Sequence, residues 1–218
     1  MSLEKPKALN ITINFLLTTI NKMETTKKNI LKVLLKDLST KPVMTSLAEE
    51  VRMSRVGAWK VLKKLEQERL ITTTPVGKGK TSARIIRINW ENPLSEKTLS
   101  LALGEEASTQ QRWLSNFAAL SKMADFLVLY GSIINSPKEA DDIDIIAVTG
   151  KDKFLEIEKA VMKIQKTQAK AIHALYFTRQ GLKDELGLPN NALVDAIKKG
   201  VILYGQDSFV RFMRGVSR

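Results

Sequence analysis

Two aspartates one residue apart, Asp142 and Asp144, open the apolar run Ile145-Ile146-Ala147-Val148. Side chains alternate along a strand, so both carboxylates point to one face and Ile143 to the other. Two like charges that close cannot both stay ionised cheaply. A divalent cation between them removes the conflict. Oxygen ligands on a stiff element suit Mg2+, which takes one or two carboxylates and completes its shell with substrate phosphates. Ahead of Asp142, with nine residues between, a second apolar run (Phe126 to Tyr130) ends in Gly131-Ser132. A glycine turn at that point offers bare backbone N–H groups to phosphate oxygens.

Strand, Gly-Ser, a polar spacer and Asp-x-Asp on the next strand resembles the DNA polymerase β-like nucleotidyltransferase superfamily. The resemblance is nearest to its small, minimal prokaryotic members and runs from about Trp113 to Phe212. It implies transfer of a nucleoside monophosphate from a nucleoside triphosphate (NTP) to a hydroxyl acceptor, with Mg2+ as cofactor. It implies catalytic roles for Asp142, Asp144 and the residue in the third carboxylate position. Asp142 and Asp144 would hold the metal, and Gly131, Ser132 and Lys138 the nucleotide. Aligning Tyr176-Phe177-Thr178 with the family's third strand puts His173, the single histidine of the chain, in the third position. Three readings of His173 stay open. A neutral imidazole can accept a proton from a hydroxyl. It can be a poor Mg2+ ligand that marks weakened or lost activity. It can be a core histidine bonded to backbone. The family also favours a basic or polar residue after Gly-Ser, where this chain has Ile133-Ile134.

Elements on either side must hold these residues. Ser95–Gly104 and Glu105–Ala124 read as helices, the second carrying Trp113, Phe117 and Leu120. Residues 152–166 show helical spacing at Phe154, Ile157, Val161 and Ile164. A strand is expected over 171–178, helices near 180–186 and 191–199, and a closing strand over 200–205.

Charge divides the chain. Residues 1–90 hold 18 Lys+Arg and 7 Asp+Glu, a net of +11, whereas residues 91–218 hold 17 and 16, a net of +1. A Lys-rich surface shared by both halves would not produce that contrast, so the first half is expected to meet nucleic acid. The absence of cysteine excludes disulfides and Cys-ligated zinc. No apolar run approaches the ~20 residues of a membrane span. No leader pattern is visible, so a cytoplasmic protein without membrane partners is expected.

Within the basic half, Thr25–Leu38 reads as an amphipathic helix. Ser46 and Glu49 have the spacing of a capping box. Ser54 is placed to cap a helix over 55–69 that buries Ala58, Val61, Leu62 and Leu65. Strand-like runs over 70–76 and 82–89 flank the basic tip Gly77-Lys78-Gly79-Lys80-Thr81. This order resembles a winged helix-turn-helix domain. The resemblance implies that the helix after Ser54 enters the major groove of DNA. Arg55 is then the candidate for guanine readout, and Ser54 beside it a further candidate DNA contact. Lys60, Lys63, Lys64, Lys78, Lys80 and Arg84 are candidate phosphate contacts. Trp59 suits either DNA or a packing partner, and a homodimer is expected for such domains.

The expected architecture is therefore α+β in two domains: an N-terminal winged helix-turn-helix and a C-terminal nucleotidyltransferase-like mixed α/β sheet. An arm occupies 1–24, the DNA-binding domain 25–90, linker helices 91–112 and the nucleotidyltransferase-like domain 113–218. The alternative is a DNA-binding transcriptional regulator whose degenerate second domain binds nucleotide or mediates assembly without turnover.

Overall fold

The computed structural model describes residues 5–38, 43–76, 83–188 and 192–216, with side chains from residue 18 onward except 19 and 20. The chain is a mixed α/β protein with two small sheets and two compact units. The first unit holds Met1–Leu34 and Pro42–Asn89, and the second Leu35–Lys41 and Trp90–Arg218.

In the first unit, α1 (Lys5–Lys36, entering the second unit at Leu35) is one continuous helix through the stretch expected as an arm. The apolar residues Ile11, Ile13, Phe15, Leu16, Leu17 and Ile20, which in the sequence suit either an extension of the first helix or a dimerisation arm, have side chains outside the described residues. Ile30, Leu31 and Leu34 are buried, as are Leu47 and Ala48 of α2 (Met44–Glu50). The expected capping box does not form. Val43 is the N-cap without a side-chain bond, and Ser46 lies inside α2 with its hydroxyl donating to the Val43 carbonyl at 3.0 Å. Val43 is held instead by an antiparallel bridge to Ile85, which sets the start of α2 by tertiary pairing. The turn after α2 places Arg52 at φ +53°, and Met53 N–H reaches the Ala48 carbonyl at 2.8 Å. Ser54 then caps α3 (Arg55–Gln67), its Oγ accepting from Gly57 N–H at 3.1 Å. The stripe Ala58, Val61, Leu62 and Leu65 is buried. The antiparallel pair β1 (Ile71–Pro75) and β2 (Arg84–Ile88) follows, with Ile71 opposite Ile88.

In the second unit, α4 (Pro93–Ser108) starts two residues before the helix expected from Ser95 and runs on past Gly104. Asn92 caps it by accepting from Leu94 N–H, and Pro93 fills the first position, where its missing donor costs nothing. It packs on β6 (Val201–Tyr204) and α9 (Gln206–Val216), so this part of residues 91–112 belongs to the body of the unit. The helix expected over 105–124 is broken into the end of α4, α5 (Gln111–Asn116) and a short 3₁₀ turn at Ala118–Lys122. The breaks let Trp113, Phe117 and Leu120 all enter one core.

That core lies on one face of a four-stranded sheet of order β5-β4-β3-β6. β3 (Phe126–Tyr130) is antiparallel to both β4 (Asp142–Val148) and β6, while β4 and β5 (Ala171–Phe177) are parallel. Parallel neighbours need a crossover, here through α6 (Phe154–Gln165), whose Ile157 and Val161 cover Ile143, Ile145 and Ala147. On the other face Phe126 meets Phe209 and Phe212 of α9 at 5.4 and 5.3 Å between ring centroids. Burying such a ring contributes about 2–3 kcal/mol. α7 (Arg179–Leu186) and α8 (Ala192–Lys199) complete the unit.

Candidate functional site

Asp142 and Asp144 lie at the N-terminal end of β4, on the sheet face that carries Phe126 farther along. Strand register decides their company. Antiparallel pairing sets Tyr130 opposite Asp144, and parallel pairing sets His173 opposite the same aspartate and Ala171 opposite Asp142. One ligand atom from each of Asp142, Asp144 and His173 falls within 4.8 Å of the others. His173 Nδ1 is 3.1 Å from Asp142 Oδ2 and 3.8 Å from Asp144 Oδ1. The His173 side chain is 62% exposed, which removes the core-histidine reading.

Gly131 closes the site from the β3 side. Its φ of +82° suits glycine, and a Cβ there would overlap Asp144 Oδ2. The carboxylate therefore rests against a bare backbone. The next residues form a tight 3₁₀ turn, in which the Ser132 carbonyl accepts from Asn135 N–H at 3.1 Å and Ser136 N–H at 2.9 Å. Ser132 is exposed at the mouth, and Ile133 is buried in the core below. Lys138 is exposed on the following loop.

Burial raises the Asp144 carboxyl above its ordinary range. Asp142 raises it further and His173 opposes the shift. Tyr130 is raised by burial first, then by Asp144 and Asp142, so its phenol stays neutral beside the two acids. The donor set, two carboxylates at the end of one strand with an imidazole across the next, fits a divalent cation. The missing Cβ at Gly131 makes room for the Asp144 carboxylate itself, which any other residue would displace.

Sequence reasoning did not single out Lys170. Its ammonium donates to the Ala140 carbonyl and reaches the Lys138 carbonyl at 3.4 Å. It thus ties the loop after Gly-Ser to the start of β5, just before the residue opposite Asp142. Tyr130 was also missed. Strand alternation places it on the Asp144 face once β3 and β4 are paired antiparallel.

In the first unit, Arg55, Trp59, Lys60, Lys63 and Lys64 are exposed along α3. Lys63 Nζ is bound to Glu66 Oε2 at 3.0 Å and stands 4.9 Å from the centre of the Trp59 ring. Arg84 is not extended into solvent: its Nε and Nη2 donate to Thr73 Oγ1 at 3.1 and 2.8 Å. Ser54 is occupied as a cap. Lys78 and Lys80 lie outside the described residues.

No protein-family model and no curated protein matches the chain. A solved structure, a mutant of Lactococcus lactis ZitR in its apo form, is similar over 56% of this chain and 83% of that chain. The identity is 17% and the TM-score 0.30, a likeness too slight to carry an argument. Among the described residues no helix is long and apolar enough to cross a membrane.

Proposed function

We propose that the chain is a divalent-metal-dependent nucleotidyltransferase carrying a DNA-binding winged helix-turn-helix unit. The observation that supports this best is the convergence of Asp142, Asp144 and His173 against the bare backbone of Gly131. Asp142 and Asp144 hold the cation, with Mg2+ the ion implied by the resemblance, and the Gly131-Ser132 turn receives triphosphate oxygens. A cation bound there supplies charge neutralisation for the attacking and leaving oxygens of an in-line displacement. The acceptor hydroxyl loses its proton to solvent, its oxygen bonds to the α-phosphorus, the bond from that phosphorus to the bridging oxygen breaks, and pyrophosphate leaves. DNA binding rests on the +11 charge of residues 1–90 and on the exposed basic face of α3. In that reading Arg55 reads a base edge, Lys60 and Lys64 contact phosphates, and two copies bind a two-fold site.

The test is titration of the purified chain with each NTP and Mg2+ or Mn2+, following heat and pyrophosphate together. Binding with pyrophosphate release is expected, and the double variant Asp142→Ala/Asp144→Ala should lose both while keeping its DNA affinity. A double variant that binds nucleotide as before removes the metal site from the proposal. One observation favours a second reading, a regulator that senses nucleotide without turnover. Ile133 is buried, so the position after Gly-Ser lends no cation to a triphosphate. Binding without pyrophosphate release in any NTP would select that reading.

A further inference from the structure

We propose that His173 is a metal ligand and that it turns the site toward Mn2+ in preference to Mg2+. The inference rests on the metal site of the function proposed above, not on turnover. Two carboxylates alone define a hard oxygen site, which Mg2+ satisfies while keeping several waters. The third donor here is nitrogen. Imidazole nitrogen favours first-row transition ions over Mg2+, and Mn2+, the weakest binder of that series, is the one that ranks with Mg2+ in its taste for oxygen ligands. Mn2+ is also the member that readily accepts carboxylate, water and phosphate oxygens in six-fold coordination. A donor set of two carboxylates and one imidazole, open to solvent on its remaining side, matches that mixture.

The geometry carries the assignment to His173 itself. Nδ1 faces both acids, at 3.1 Å from Asp142 Oδ2 and 3.8 Å from Asp144 Oδ1. Neighbouring donors on one ion with bonds of ~2.1 Å lie ~3 Å apart when they subtend a right angle. The ring is more than half exposed, so small rotations cost no core packing. Its backbone is fixed by the parallel register with Asp144, which keeps the imidazole beside the acids.

The experiment uses the full chain with Mn2+ alone, followed by electron paramagnetic resonance, and then with Mg2+ as competitor. Wild type should bind Mn2+ at least about tenfold more tightly than Mg2+. Pulsed measurements on bound Mn2+ should show coupling to an imidazole nitrogen. That coupling should vanish in His173→Gln. His173→Asp, which restores an all-oxygen set, should lower the Mn2+ to Mg2+ preference several-fold. Because the side chain is exposed, both variants should fold, and their circular dichroism should match wild type.

Bound Mn2+ without nitrogen coupling overturns the inference, as does a preference unchanged in His173→Asp. Neither result touches the transferase reading, which is judged by pyrophosphate release. Nitrogen-coupled Mn2+ in a chain that releases no pyrophosphate upholds the inference and sends the function to the regulator. Failure to bind either ion ends both.

Discussion

Gly131 and Asp144 touch because β3 ends in a left-handed residue directly beside the carboxylate. Gly131→Ala must both adopt a disfavoured backbone conformation, at about 1–3 kcal/mol, and displace Asp144 Oδ2. The variant should fold with a lowered Tm and lose ~10-fold or more in divalent-ion affinity. Calorimetric titration checks this, and unchanged affinity would mean that the glycine serves only the turn. Asp144 gives a second residue-scale expectation, in the metal-free protein. Burial raises its carboxyl in the folded state, so the fold binds that proton more tightly than the unfolded chain does. The stability so gained is complete below the ordinary carboxyl range and is lost as pH rises through the raised folded value. Asp144→Asn escapes that loss. With a chelator present it should melt higher than the parent at pH 7.5 and together with it at pH 3. A difference that persists at pH 3 would assign the effect to packing. Added divalent cation should reverse the order, because only the parent gains binding energy, about 2.7 kcal/mol at a hundredfold excess over Kd.

Among the elements, β5 shows what a sequence can and cannot disclose. Its alternation is legible, and so is the shared face of Asp142 and Asp144, because both follow from period two. The Ser54 cap is legible too, since cap and buried stripe reinforce each other. The start of α2 was misread because its position depends on a bridge from Val43 to Ile85, forty-two residues away. The elements read from the sequence end at Gly205. The stripe Phe209, Val210, Phe212 and Met213 has helical spacing, but its importance lies in covering Phe126, which is a tertiary fact. Lys170 leaves no trace at all in the sequence, because it acts on the carbonyls of Ala140 and Lys138, which any residue could supply. On the edge side, Gln165 of α6 stands in for a missing strand. Its Nε2 donates to the Lys170 carbonyl at 3.0 Å, and its Oε1 accepts from Ile172 N–H at 2.7 Å. These contacts fix the residue that fixes the loop. Lys170→Met should therefore raise hydrogen exchange over 135–141 and weaken divalent-ion binding by roughly 3- to 10-fold, the scale of a lost outer-shell contact. Lys170→Arg should recover part of both. Unaltered exchange in the Met variant would show that the turn at Ser132 holds the loop unaided.

For the molecule as a whole, the charge contrast between the halves was readable by counting, whereas the place of Leu35–Lys41 in the second unit was not. The second unit recruits Leu35–Lys41, a short stretch of chain separated from its main body by the 48 residues of Pro42–Asn89. Lys36 shows why. Its ammonium is buried, donates to the Gly200 carbonyl at 2.7 Å and pairs with Glu106 Oε2 at 3.1 Å. It thereby joins the last turn of α1 to α4 and to the entrance of β6. A methionine keeps the length of the side chain and removes the charge. Breaking a buried pair from one side leaves the partner's charge uncompensated and costs about 3–5 kcal/mol, somewhat less here because Glu106 retains partial access to water. Lys36→Met should therefore lower the melting transition of the second unit while any DNA affinity, which the proposed function assigns to α3, stays within error. Lys36→Met/Glu106→Leu, which removes the carboxylate as well, should recover part of the loss. Differential scanning calorimetry on the full chain, with DNA binding measured on the same preparations, separates the outcomes. A double variant no more stable than the single one would assign the energy to the Gly200 carbonyl, and an unchanged single variant would show that neither contact of Lys36 contributes to the stability of the second unit.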